Sequence, residues 1–72
     1  MTKKAVILGA GESGLGAALL AKAQGYEVWV SDGGKIHEAF RDELNVEGIA
    51  FEESGHTLEK ILDAEVVVKS PG

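Results

Sequence analysis

Gly9, Gly11 and Gly14 stand in the spacing G-x-G-x-x-G directly after the apolar run Ala5-Val6-Ile7-Leu8, and Gly16 follows. In a strand-to-helix turn each of the first three has a mechanical use. The first lets the chain reverse tightly, the second lets backbone approach a phosphate, and the third lets the helix lie close to the strand. The helix that opens there offers first-turn N–H groups without intrahelical partners, at the end where its dipole favours an anion. Ser13 suits a helix cap, a role compatible with touching phosphate. Asp32 lies roughly 20 residues beyond Gly11, the separation at which a nucleotide-binding unit sets an acid against its ligand. The chemistry on offer is nucleotide binding, and no residue is assigned a catalytic or metal-ligating role.

The elements that must position these residues alternate along the chain. Residues 4–8 form an apolar strand suited to the centre of a parallel sheet. A helix is predicted from Ser13 or Gly14 to about Gln24, with Leu15, Ala18, Leu19 and Lys22 on one stripe and Gly25 as a left-handed C-terminal cap. Residues 27–31 read as the second strand, and Asp32-Gly33-Gly34-Lys35 as a loop. Ile36, Phe40 and Leu44 recur every fourth position and predict a helix over 36–44, before a brief strand at 49–52. Ser54-Gly55-His56 reads as a turn, Thr57 as the cap of a short helix over 58–62, and residues 66–69 as a fourth strand.

This alternation predicts an α/β, doubly wound parallel sheet, with right-handed crossovers giving the order 3-2-1-4. The loop after strand one, Asp32 and Ser70-Pro71-Gly72 then gather at the switch point where such sheets bind ligands. With strand four at an open edge and Ser-Pro-Gly reading as the start of a loop, residues 1–72 are expected to be one partial domain of a longer protein.

Composition narrows the function classes. Seventy-two residues with 44% hydrophobic and 26% charged side chains describe one small globular unit rather than a disordered tail. A net charge of −5 leaves no basic face for nucleic acid, so any phosphate must be held by backbone amides. With no cysteine there is neither a disulfide framework nor a thiolate zinc site. The apolar runs are too short for a membrane span or a signal core, so no membrane partner and a cytoplasmic location are expected.

The remaining chemistry-bearing residues take ordinary readings. His37 and His56 are surface histidines, Trp29 and Phe40 belong to the core, and Glu52, Glu53, Asp42 and Glu43 are solvated acids.

Ile-Leu-Gly-Ala-Gly-Glu-Ser-Gly at 7–14, Val-Ser-Asp at 30–32 and Val-Val-Val-Lys-Ser-Pro-Gly at 66–72 resemble the N-terminal, Rossmann-like domain of the Mur ligases, of the type that adds D-glutamate. The resemblance covers all 72 residues, and its more specific half is Ser-Pro-Gly after an apolar strand. It implies an ATP-dependent ligase of peptidoglycan precursor synthesis whose N-terminal domain holds the UDP moiety of UDP-N-acetylmuramoyl-L-alanine. Gly11, Glu12, Ser13 and Gly14 would then sit against the diphosphate, and Asp32 would accept from the uracil imide N–H beside Gly33. Ser70, Pro71 and Gly72 would line the other side of the uridine. ATP and Mg2+, and D-glutamate, would be held by further domains absent here, so this stretch alone has no cofactor and no activity. No G-x-x-x-x-G-K-[ST] phosphate loop occurs in it. Where some relatives carry Thr and Arg after Asp32, this chain has Gly33 and Gly34, so side-chain contacts to uracil there are lost or replaced. The alternatives are an NAD-binding domain of a dehydrogenase, with Asp32 on the adenosine ribose, or of a ligand-sensing regulator.

Overall fold

The computed structural model describes residues 2–69. Strands and helices alternate as β1 (Lys4–Leu8), α1 (Glu12–Ala23), β2 (Glu27–Ser31), α2 (Glu38–Val46), β3 (Ala50–Glu52), α3 (Leu58–Asp63) and β4 (Val66–Lys69). All pairings are parallel and the strand order is β3-β2-β1-β4, as the alternation predicts. Central β1 is bonded on both sides, and its Ala5, Val6 and Ile7 are buried.

The register sorts side chains onto two faces. Ile7 pairs with Val30, and Val30 with Phe51, so these share the face on which α1 and α2 pack. Ala18 of α1 and Leu44 of α2 complete a core in which Ile7, Val30 and Leu44 are fully buried. Each of those three contributes about 1.5–3 kcal/mol by leaving water. Val6, Trp29 and Ala50 share the opposite face, where Lys60 of α3 lies 4.9 Å above the Trp29 ring. Lys4 and Asp63 pair at 2.5 Å and fasten the end of α3 to the start of β1. Val66, Val67 and Val68 of edge strand β4 are exposed.

The returns from α1 to β2 and from α2 to β3 use the same local device. Gly25 (φ 91) donates to the Lys22 carbonyl at 3.0 Å while Tyr26 donates to Ala21 at 3.1 Å. Gly48 (φ 70) donates to Asn45 at 3.1 Å and Ile49 to Leu44 at 2.9 Å. These are paired Schellman closures, which need a left-handed residue after the helix and so favour glycine.

Several boundaries differ from the sequence reading. The first helix starts at Glu12 with Gly11 as its N-cap, so Ser13 lies inside the first turn and is not the cap. Ile36 is buried but precedes α2, because His37 takes the cap position and its Nδ1 accepts from the Ala39 N–H at 3.2 Å. A side chain can thus keep the helical spacing and reach the core from a loop. Ile49 closes the turn rather than opening β3, and α2 and α3 run on to Val46 and Asp63. Thr57 holds the cap position of α3, but its hydroxyl is used elsewhere.

The turn into α1 tolerates no side chain at Gly14. A Cβ there would lie 1.8 Å from the Gly9 carbonyl oxygen and 2.9 Å from its carbon, whereas at Gly11 it would meet nothing within 4 Å. Gly14→Ala should cost on the order of 4 kcal/mol and abolish a cooperative urea transition. Gly11→Ala should cost only about 1 kcal/mol, the difference between glycine and alanine as a cap.

Candidate functional site

The loops after β1 and β2 leave the sheet at one end because Leu8 pairs with Ser31. Lys69, the last residue of β4, pairs with Leu8 from the other side, so the strands that flank β1 end at that same edge. Ser70, Pro71 and Gly72 lie outside the described residues. With α1 on one face and α3 on the other, β1 is the point at which the winding reverses, where open α/β sheets carry their ligands.

Gly9 turns the chain with φ 96 while its N–H donates to the Ser31 carbonyl at 2.8 Å. The first helical bond runs from the Leu15 N–H to the Gly11 carbonyl at 2.9 Å, and no side chain caps the helix. The first-turn amides are therefore left without intrahelical acceptors. Gly11, Glu12 and Ser13 are exposed around them, while Gly14 is buried against Gly9.

Asp32 joins this turn to the next loop. Its Oδ2 accepts from the Ala10 N–H at 2.8 Å and its Oδ1 from the Gly34 N–H at 2.8 Å. A carboxylate has about four lone-pair sites, so one on each oxygen is left for a ligand. The loop after β3 packs against the same segment: Ser54 donates to the Gly34 carbonyl at 2.9 Å and Gly55 to the Asp32 carbonyl at 3.2 Å. Gly33 is exposed between them. Thus Gly11, Glu12, Ser13, Asp32 and Gly33 converge at one end of the sheet. A cavity of about 360 Å³ opens at the opposite end, lined by Lys4, Glu27 and Lys60 among others, and includes none of them.

Sequence reasoning missed the polar cluster behind the Asp32 loop. Glu52, expected to be a solvated acid, is half-buried and accepts four hydrogen bonds. Its Oε2 accepts from Trp29 Nε1 at 3.1 Å, Ser31 Oγ at 2.9 Å and Thr57 N–H at 2.7 Å, and its Oε1 from Thr57 Oγ1 at 2.7 Å. The fully buried Ser31 hydroxyl also lies 2.5 Å from His56 Nδ1. Strand alternation was the available signal, since Glu52 pairs with Ser31 on the Trp29 face. Glu53 is not simply solvated either: it accepts from the Ile36 N–H at 3.3 Å and lies 3.6 Å from Arg41 Nε. Asp42 and Glu43 are exposed, as are His37 and His56, and Trp29 and Phe40 are half-buried. Among the described residues no group of three or more acids and histidines is placed to hold a metal ion, and no helix is long and apolar enough to cross a membrane.

Burial pushes the Glu52 carboxyl up, but the donors from Thr57, Ser31 and Trp29 outweigh it and hold the group down at about 2. Since the folded value lies below the ordinary 4.5, ionised Glu52 stabilises the fold above that pH, and this is lost as pH falls toward 2. Glu52→Gln should lower stability at neutral pH by on the order of 2 kcal/mol, allowing for solvent screening. The gap to the parent chain should close on acidification, as urea unfolding across that window would show.

The model of the MurD N-terminal domain family matches residues 4–72. The chain is 61% identical over all 72 residues to the UDP-N-acetylmuramoylalanine–D-glutamate ligase of Cytophaga hutchinsonii, covering 16% of that protein. It is 54% identical over its full length to the ligase of the same name from Christiangramia forsetii, again 16% of the relative. Over 67 residues, 93% of the chain, it is 57% identical to the Porphyromonas gingivalis ligase of that name, spanning 15% of it. The chain therefore spans about a sixth of the length of these curated relatives. On the family match and on these identities, the chain belongs to the MurD N-terminal domain family.

Proposed function

We propose that this chain is the N-terminal segment of an ATP-dependent UDP-N-acetylmuramoylalanine–D-glutamate ligase and holds the UDP end of UDP-N-acetylmuramoyl-L-alanine. The observation that carries the reading is the Asp32 carboxylate, bonded at once to the glycine turn and to its own loop. It brings an anion-seeking helix start and an acceptor for a base N–H to one end of the sheet, which is the pairing a nucleoside diphosphate requires. The exposed amides around Gly11, Glu12 and Ser13, at the start of α1, face the diphosphate. Gly14 keeps the helix close enough for them to do so. Asp32 accepts from the uracil imide beside Gly33, and Ser70, Pro71 and Gly72, outside the described residues, are assigned to the other side of the uridine on the family resemblance alone. ATP, Mg2+ and D-glutamate are handled by parts of the ligase beyond these residues. This segment supplies grip and orientation, and a cytoplasmic location follows from a nucleotide-linked substrate.

Amide NMR of the 72-residue chain with UDP and then NAD tests the reading. UDP should move the resonances of Gly11–Gly14 and Asp32–Gly34, with little response to NAD. A preference for NAD would overturn the reading in favour of a dinucleotide-binding domain. A second outcome concerns Glu12, whose exposed carboxylate competes with phosphate for the helix start. Neutralising it with Glu12→Gln should tighten UDP by about two- to fivefold, the size of a helix-end charge effect.

A further inference from the structure

His56 lies in the loop after β3, and its ring is held from behind. Glu52 is ionised at ordinary pH and can only accept, so the 2.9 Å contact requires the Ser31 hydroxyl to donate to it. That spends the single proton of Ser31. The 2.5 Å contact between Ser31 Oγ and His56 Nδ1 must then be made by an Nδ1–H donating to the hydroxyl oxygen. The network thus assigns neutral His56 the Nδ1–H tautomer and leaves Nε2 as a bare acceptor. That nitrogen lies 3.3 Å from where a Cβ on Gly33 would stand, so the missing side chain at 33 is what gives the imidazole its room. His56 is exposed and borders the Asp32–Gly34 loop, to which Ser54 and Gly55 are bonded.

We propose that His56 is a specificity-determining ligand contact of this site, its Nε2 accepting a hydrogen bond from the nucleoside end of the ligand. This rests on the UDP reading above. A phosphate ionised at neutral pH has no proton to give, so a bare Nε2 has no use for the diphosphate. A uridine nucleotide offers its imide N–H, which Asp32 accepts in that reading, and its ribose hydroxyls, so a ribose hydroxyl is the donor left for Nε2. The imidazole then supplies, from the next loop, the side-chain contact that Gly33 and Gly34 cannot make. Ser31 and Glu52 act through it as positioning residues.

The test compares the 72-residue chain with His56→Phe, which keeps a ring and removes the acceptor. Dispersed amide spectra establish that both are folded. UDP, 3-methyl-UDP and inorganic pyrophosphate are titrated into each. His56→Phe should weaken UDP about five- to tenfold, the worth of one hydrogen bond, and leave pyrophosphate unchanged. Because the donor is a ribose hydroxyl, the same loss should persist with 3-methyl-UDP; a loss that vanishes there would overturn the assignment. In the parent chain, imidazole 15N shifts should show His56 protonated at Nδ1, and Ser31→Ala should return it to the Nε2–H form that free imidazole prefers. Equal UDP binding by parent and variant would overturn the role of His56 and leave the UDP reading standing. Equal losses for UDP and pyrophosphate would also overturn it. No response of the parent chain to UDP alongside binding of NAD would overturn both.

Discussion

The bare α-carbon of Gly14 rests against the carbonyl of Gly9, and the rest of the site depends on that contact. A side chain there would have to occupy the carbonyl oxygen itself, 1.8 Å away. Because none is present, α1 begins directly over the end of β1 and stays close to the sheet along its length. Its small residues continue the fit, with Ala18 fully buried against the strands. The close start also leaves the helix amides at the sheet edge, with Gly11 in open space above them. The close packing of α1 and the exposure of its first-turn amides are two consequences of one missing Cβ.

For a chain of net charge −5, the proposed anion site requires that its own carboxylates be kept occupied. Asp32 and Glu52 show how this is done. Each accepts from donors already in place, Asp32 from two backbone amides and Glu52 from Trp29, Ser31 and Thr57. Their charge is spent on clamping loops to one another. Glu12 is the exception, an exposed acid in the first turn of α1 that favours the helix dipole and opposes a phosphate at the same place.

The two faces of the sheet are held in different ways. On the α1/α2 face the apolar core does the holding, through Ile7, Val30 and Leu44. On the α3 face there is less apolar contact: α3 has six residues and none of them is buried. Polar ties take over there, with Glu52 under the start of α3 and Lys4–Asp63 at its end. The loop bearing His56 is thus anchored by hydrogen bonds to a strand.

The order of the elements, the parallel sheet and its 3-2-1-4 arrangement were legible in the sequence, because apolar runs and glycine stops are local signals. The glycine turn and Asp32 were legible as well, since their spacing along the chain is itself the signature. Residues 70–72 were part of that reading and lie outside the described residues. What the sequence did not disclose were bonds between residues far apart in it. Glu52 reads as a surface acid until β3 is placed beside β2, which brings Ser31 and Trp29 under its carboxylate. Thr57 reads as a cap until Glu52 claims its hydroxyl. His56 reads as a lone surface histidine until Ser31, 25 positions away, fixes its ring. Sequence by itself determined which segments form strands, turns and helices, because those choices depend on near neighbours. Tertiary structure alone decided which polar groups find one another, because a hydrogen bond is set by distance in space.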